Sequence, residues 1–136
     1  MSVNKNEADL LHTLRKESGN ELHIDIWYEG EVWVFHPVGP IDTTTSSDLE
    51  ANLMEGINQG MRKIILDLTD VRYVSSAGLR VIIAGAKTLK KNNGEIRLST
   101  PNKTVYEILE MSGLKKFFKI YPDNNAAIQS FSKMSA

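Results

Sequence analysis

The run Ile64-Ile65-Leu66 continues through Asp67-Leu68-Thr69-Asp70 and Val71-Arg72-Tyr73-Val74 to Ser75-Ser76-Ala77-Gly78, after which the spacing turns helical. An apolar run without alternation suits a strand buried on both faces. Beyond the serines, Leu79, Ile82, Ile83, Ala86 and Leu89 stand three and four apart, the stripe of an amphipathic helix. A doubly buried strand needs cover on both sides, and a following helix that crosses over to a parallel neighbour supplies it. This junction dictates an α/β architecture. It also sets Ser75 and Ser76 at a helix start, where unpaired N–H groups and the positive end of the helix dipole gather.

The rest of the chain fits around that junction. Residues 22–28 alternate, with Leu22, Ile24, Ile26 and Tyr28 on one face and His23, Asp25 and Trp27 on the other. Glu29-Gly30 offers a tight turn into a second alternating run, 32–38, so the two read as an antiparallel hairpin. Both faces of the second run are apolar, with Trp33 and Phe35 opposing Val32, Val34 and Val38. A cover is therefore expected over a Trp27/Trp33 side. It would come from a short helix over residues 6–16 carrying Leu10, Leu11 and Leu14, or from a partner copy in a homodimer.

Gly39-Pro40-Ile41-Asp42 breaks the second strand, and Ser47-Asp48-Leu49-Glu50 has the form of a capping box. Leu49, Leu53, Met54 and Ile57 would face inward and Gly60 would end that helix. A strand over 63–68, the serine loop and a long helix to about Lys91 follow, then Asn92-Asn93-Gly94 and a strand over Glu95–Ser99. Pro101 suits the first position of another helix, lined by Val105, Ile108, Leu109 and Met111 and stopped at Gly113. A short strand over 117–120 and a final helix capped by Asp123, with Ala127, Ile128 and Phe131 inward, complete the order ββαβαβαβα. Residues 1–20 read as an extension and 21–136 as one domain whose N-terminal hairpin leads into a mixed, largely parallel sheet packed by helices.

Charge and composition narrow the function. A formal net charge of -1 over 136 residues gives no electrostatic ground for a nucleic-acid partner or an anionic membrane. No apolar run has the length of a membrane span, and the absence of cysteine removes disulfides and thiol chemistry, so the expected setting is the cytoplasm. Gly85 is separated from Lys87-Thr88 by Ala86 inside a helical pattern, which rules out a phosphate-binding loop, and no Gly-x-Gly-x-x-Gly follows a strand. Neither serine lies in Gly-x-Ser-x-Gly. His12, His23 and His36 show no ligand spacing, so no metal, cofactor or catalytic residue is expected. A small serine hydrolase is the minor alternative, since triads assemble from distant positions.

The serine loop resembles the STAS domain of anti-sigma factor antagonists. Their loop typically reads Asp-Ser-x-Gly-Leu, and this chain has Ser75-Ser76-Ala77-Gly78-Leu79, so the family's phosphorylated serine falls on Ser76. Gly39-Pro40-Ile41-Asp42 is similar to the family's Gly-x-Leu/Ile-Asp, and Met111-Ser112-Gly113-Leu114 to its Met-Ser-Gly-Leu. The resemblance covers about residues 22–132 and has one departure, Ser75 where the family has Asp. It implies a non-enzymatic protein–protein interaction module. Its partner would be an anti-sigma factor with serine kinase activity, bound through Asp42, Ser75, Ser76, Ala77 and Gly78 while Ser76 is unmodified. Ser75 is the second candidate acceptor. Because a carboxylate beside the acceptor is missing, a constitutive, never phosphorylated scaffold or assembly subunit is the alternative.

Overall fold

The structure, a computed structural model, describes residues 22–134. A hairpin opens the sheet: β1, His23–Glu29, pairs antiparallel with β2, Val32–Val38, with Glu29 opposite Val32. The two residues between them, Gly30 and Glu31, have φ of 57° and 72°, the positive pair that a two-residue hairpin turn requires. The turn thus falls one residue later than Glu29-Gly30. Gly30 is doubly constrained, since a Cβ there would stand 2.8 Å from Ile128 Cγ2.

Four helices follow among the described residues: α1, Ser46–Asn58; α2, Ser76–Lys91; α3, Lys103–Met111; and α4, Asn124–Met134. They alternate with β3, Lys63–Asp67; β4, Glu95–Ser99; and β5, Ile120–Tyr121, with a 3-10 turn over Leu114–Lys116 before β5. The sheet order is β1-β2-β3-β4-β5, parallel from β2 onward. This is the mixed sheet expected from the alternation of apolar runs and helical stripes.

The core is unequal on the two faces. Leu49, Leu53 and Ile57 of α1, Val81, Ile82 and Leu89 of α2, and Val105 and Leu109 of α3 pack with Phe35, Ile64 and Leu66 on one side. On the other, Val32, Val34 and Ile65 meet Ala127, Ile128 and Phe131 of α4. Burying each such side chain fully contributes about 1.5–3 kcal/mol, which is why β3 alternates between two apolar environments rather than between core and water. Arg97, 1% exposed, lies under α4 with its guanidinium 4.2 Å from the Phe131 ring centre and bonded to Glu95 and Ser130.

Several expectations are corrected here. Trp27 stands opposite Val34 and Trp33 opposite Tyr28, so the two tryptophans lie on opposite faces and form no common side. Trp33 belongs to the larger core and Trp27 packs beside the α4 cluster, so α4 supplies the cover sought for the second face. The helix over 6–16 lies outside the described residues, as do His12 and any dimer contact through the extension. Ser47 sits inside α1 rather than capping it, because Asp42 has already turned the chain. Pro101 precedes the α3 cap, Asn102, whose Oδ1 accepts from Val105 N at 2.7 Å. Met111 is 86% exposed rather than inward, and Phe117 is 81% exposed in the loop after the 3-10 turn rather than in a strand.

Candidate functional site

The junction between β3 and α2 is fastened from both sides. Gly39 N donates to Asp70 O at 2.9 Å, Ile41 N to Tyr73 O at 2.9 Å, and Ser75 N to Ile41 O at 2.8 Å. Ile41 and Val74 form an isolated parallel bridge. The segment Gly39-Pro40-Ile41-Asp42 is thereby stitched along the loop that delivers the serines, and motifs far apart in sequence meet at one end of the sheet. Asn102 adds a tie, with Nδ2 donating to Val71 O at 3.2 Å.

Ser75, not Ser76, caps α2. Its backbone is extended (φ -83°, ψ 174°), and its Oγ accepts from Gly78 N at 3.2 Å. Serine and aspartate are comparably good caps, so either residue at position 75 can fill this structural duty. Ser76 is then the first helical residue. It is exposed, and no described residue engages its hydroxyl. Its own N–H and that of Ala77 precede the first intrahelical bond, as at any helix start. The first turn of α2 holds no acidic residue. Ala77 is half-buried and Gly78 is buried against Ile41.

Asp42 is half committed. Its Oδ1 accepts from Thr44 N at 2.9 Å and Thr45 N at 3.1 Å, while its own N–H donates to Thr45 Oγ1 at 2.9 Å. These amides, Thr45 first, hold its carboxyl below the ordinary 3.8, so it is charged at neutral pH. Oδ2 takes no bond from a described residue.

Beneath the loop lies a clasp that the residue spacing did not reveal. His36 Nδ1 is 2.8 Å from Asp67 Oδ2, and its Nε2 is 2.7 Å from Asp70 Oδ2. Carboxylates only accept, so filling both bonds requires both ring N–H groups and hence the imidazolium. Burial alone would pull the His36 pKa down. The bonds from Asp67 and Asp70 outweigh it and raise the pKa above 6.5. Asp67 is likewise opposed by burial, yet Thr69, His36 and Asn124 hold its pKa below 3.8. The signal lay in strand pairing: Phe35 opposite Leu66 sets His36 beside Asp67, and the spacing Asp67-Leu68-Thr69-Asp70 returns a second carboxylate. Tyr73, 48% exposed, is a further surface residue of this loop outside the expected site.

Comparison with known proteins follows the same lines. Residues 23–127 match the STAS domain family. The chain is 36% identical over 93 residues to BtrV of Bordetella bronchiseptica, provisionally named an anti-sigma factor antagonist, covering 68% of this chain and 80% of that one. It is 28% identical over 115 residues to the anti-sigma F factor antagonist of Paenibacillus polymyxa, covering 84% and 98%. Among solved structures, SpoIIAA in its unphosphorylated form superposes with a TM-score of 0.71 at 20% identity, over 81% of this chain and 96% of that one. At that identity the likeness is one of fold. No helix among the described residues is long and apolar enough to cross a membrane.

Proposed function

This chain belongs to the STAS domain family, and on that premise we propose that it is an anti-sigma factor antagonist switched by phosphorylation of Ser76. The names borne by its relatives support the antagonist reading. The observation that carries the switch is the division of labour between the serines. Ser75 spends its hydroxyl on the cap, whereas Ser76 is exposed with its hydroxyl unengaged at the start of α2.

In the unmodified protein the surface formed by Asp42, Ser75, Ser76, Ala77 and Gly78 docks an anti-sigma factor that is also a serine kinase. Asp42 contributes a fixed negative charge through Oδ2, suited to a cation of the partner. The kinase transfers the γ-phosphoryl group of ATP to the Ser76 oxygen, the hydroxyl proton leaves, and ADP is released. The phosphoserine brings about -1.5 to -2 charges. A helix N-terminus tolerates an anion on the free protein, with a gain of up to ~2 kcal/mol. In the complex the same group is desolvated, and near any acidic group of the partner it is also repelled. A differential cost of about 3 kcal/mol weakens binding roughly a hundredfold.

The test is the intact mass of the protein after incubation with its kinase and ATP, alongside affinities for Ser76→Ala and Ser76→Asp. One added phosphate that is lost in Ser76→Ala, with weakened binding of Ser76→Asp alone, is the expected result. A phosphate on Ser75, or equal affinity of wild type and Ser76→Asp, would overturn the switch. No phosphate at all would favour the constitutive scaffold.

A further inference from the structure

The outer side of α2 carries a furrow that the proposed switch does not use. It holds about 370 Å³ between Ile83 and Ala86 of α2 and Leu114, Phe117 and Phe118 beyond it. Phe117 is 81% exposed and is also shared with a second hollow of about 330 Å³ on its other flank. A separate depression, reaching Glu50 and Ala77, lies on the α1 flank of α2, across the ridge formed by Ile83 and Lys87. From Ile83 to Lys90 the furrow runs about 10 Å along the helix, the length of about two helical turns.

Its rim is cationic. Lys87 and Lys90 border the furrow. Neither has an anionic partner among the described residues, unlike Lys115 and Lys119, which sit by Glu110 and Glu95. Phe117 does not stand alone but continues the apolar lining made by Ile83, Ala86, Leu114 and Phe118, and a contiguous apolar surface, unlike a single exposed side chain, marks an interaction site. An apolar floor between unpaired cations matches an amphipathic helix with apolar residues on one face and carboxylates flanking them. A second copy seated face to face here would bring lysines against lysines.

We propose that this furrow is a docking site for an acidic amphipathic helix of a protein partner, separate from the Ser76 surface and independent of whether Ser76 is phosphorylated. Phe117 is the anchor, and Lys87 and Lys90 set the orientation and charge preference.

The full chain would be titrated with a labelled peptide of about four helical turns, leucine at i, i+3, i+4 and i+7 and glutamate between, and with its lysine counterpart. The expected result is saturable binding of the acidic peptide only, with methyl shifts at Ile83 and Leu114. Phe117→Ala and the pair Lys87→Glu, Lys90→Glu should each weaken it about tenfold, with Tyr73→Ala unchanged. Phe117 is exposed enough for its truncation to leave the core intact, which an unchanged unfolding midpoint would verify. Equal binding of both peptides or no binding would overturn the proposal. So would binding to phosphatidylglycerol vesicles instead, concentration-dependent dimers abolished by Phe117→Ala, or acidic-peptide binding that appears only when residues 1–21 are deleted.

Discussion

Gly78 lies so close to Ile41 that a Cβ on it would stand 2.7 Å from the Ile41 carbonyl oxygen and 2.8 Å from its Cγ2. The same carbonyl accepts from Ser75 N, so it cannot retreat without loosening the cap residue. In an open helix, Gly→Ala gains up to about 1 kcal/mol. Here the sign reverses. Gly78→Ala should lower stability by about 1–3 kcal/mol in urea unfolding, the usual cost of overpacking a tight contact.

The two serines should separate in stability measurements. Ser75→Ala removes the acceptor for Gly78 N and should cost about 1 kcal/mol, whereas Ser75→Asp should hold stability. Ser76→Ala should stay within about 0.5 kcal/mol of wild type, as expected of an exposed side chain without partners. Chemical denaturation of the three variants checks this without any partner protein.

Asp42 can be divided between its two oxygens. Asparagine keeps an oxygen to accept from Thr44 N and Thr45 N but drops the charge. Asp42→Asn should therefore unfold like wild type while binding the anti-sigma factor about tenfold or more weakly in calorimetry. Asp42→Ala should show the same binding loss and lower stability as well.

The His36 clasp predicts a pH dependence with a definite sign. A His pKa raised above 6.5 contributes stability that is full below 6.5 and is lost as pH rises through the folded value. The depressed Asp67 acts at the other end: its contribution is present above 3.8 and is lost as pH falls through its lower folded value. The clasp should be strongest between about pH 4 and 6.5 and weaken on the alkaline side. His36→Gln should flatten the alkaline slope of stability against pH, and Asp70→Asn should lower the imidazole titration midpoint seen by NMR. Asp25 is opposite His36 in the hairpin and bonds His23, so the slope of the variant, not of wild type alone, isolates the clasp.

Much of this was legible in the residues. Alternation gave β1 and β2 to within a residue of their ends, and the αL stops at Gly60 and Gly113 lie where the helical stripes break. The Ser75–Gly78 junction was legible because a buried strand and an amphipathic helix leave few ways to meet. The caps were less so. Serine, threonine, asparagine and aspartate crowd positions 42–47, and only the fold selects Asp42 over Ser47 as the residue that turns the chain. Phe117 reads as a strand residue by composition, yet the left-handed Gly113 starts a 3-10 turn that leaves the phenylalanine outside the sheet. Alternation within one strand does not say which side a tryptophan of the next strand shares, because cross-strand register is a tertiary fact. The His36 clasp stayed hidden for the same reason, since it depends on which parallel strand lies next door.

The helix α4 leaves the ribosome after every strand of the sheet, and it is what shields Val32, Val34 and Ile65. Until its final turns emerge, the hairpin and β3 can be complete and still present a greasy back to every other nascent chain. A ribosome stalled before Phe131 would leave something adhesive rather than something merely shorter.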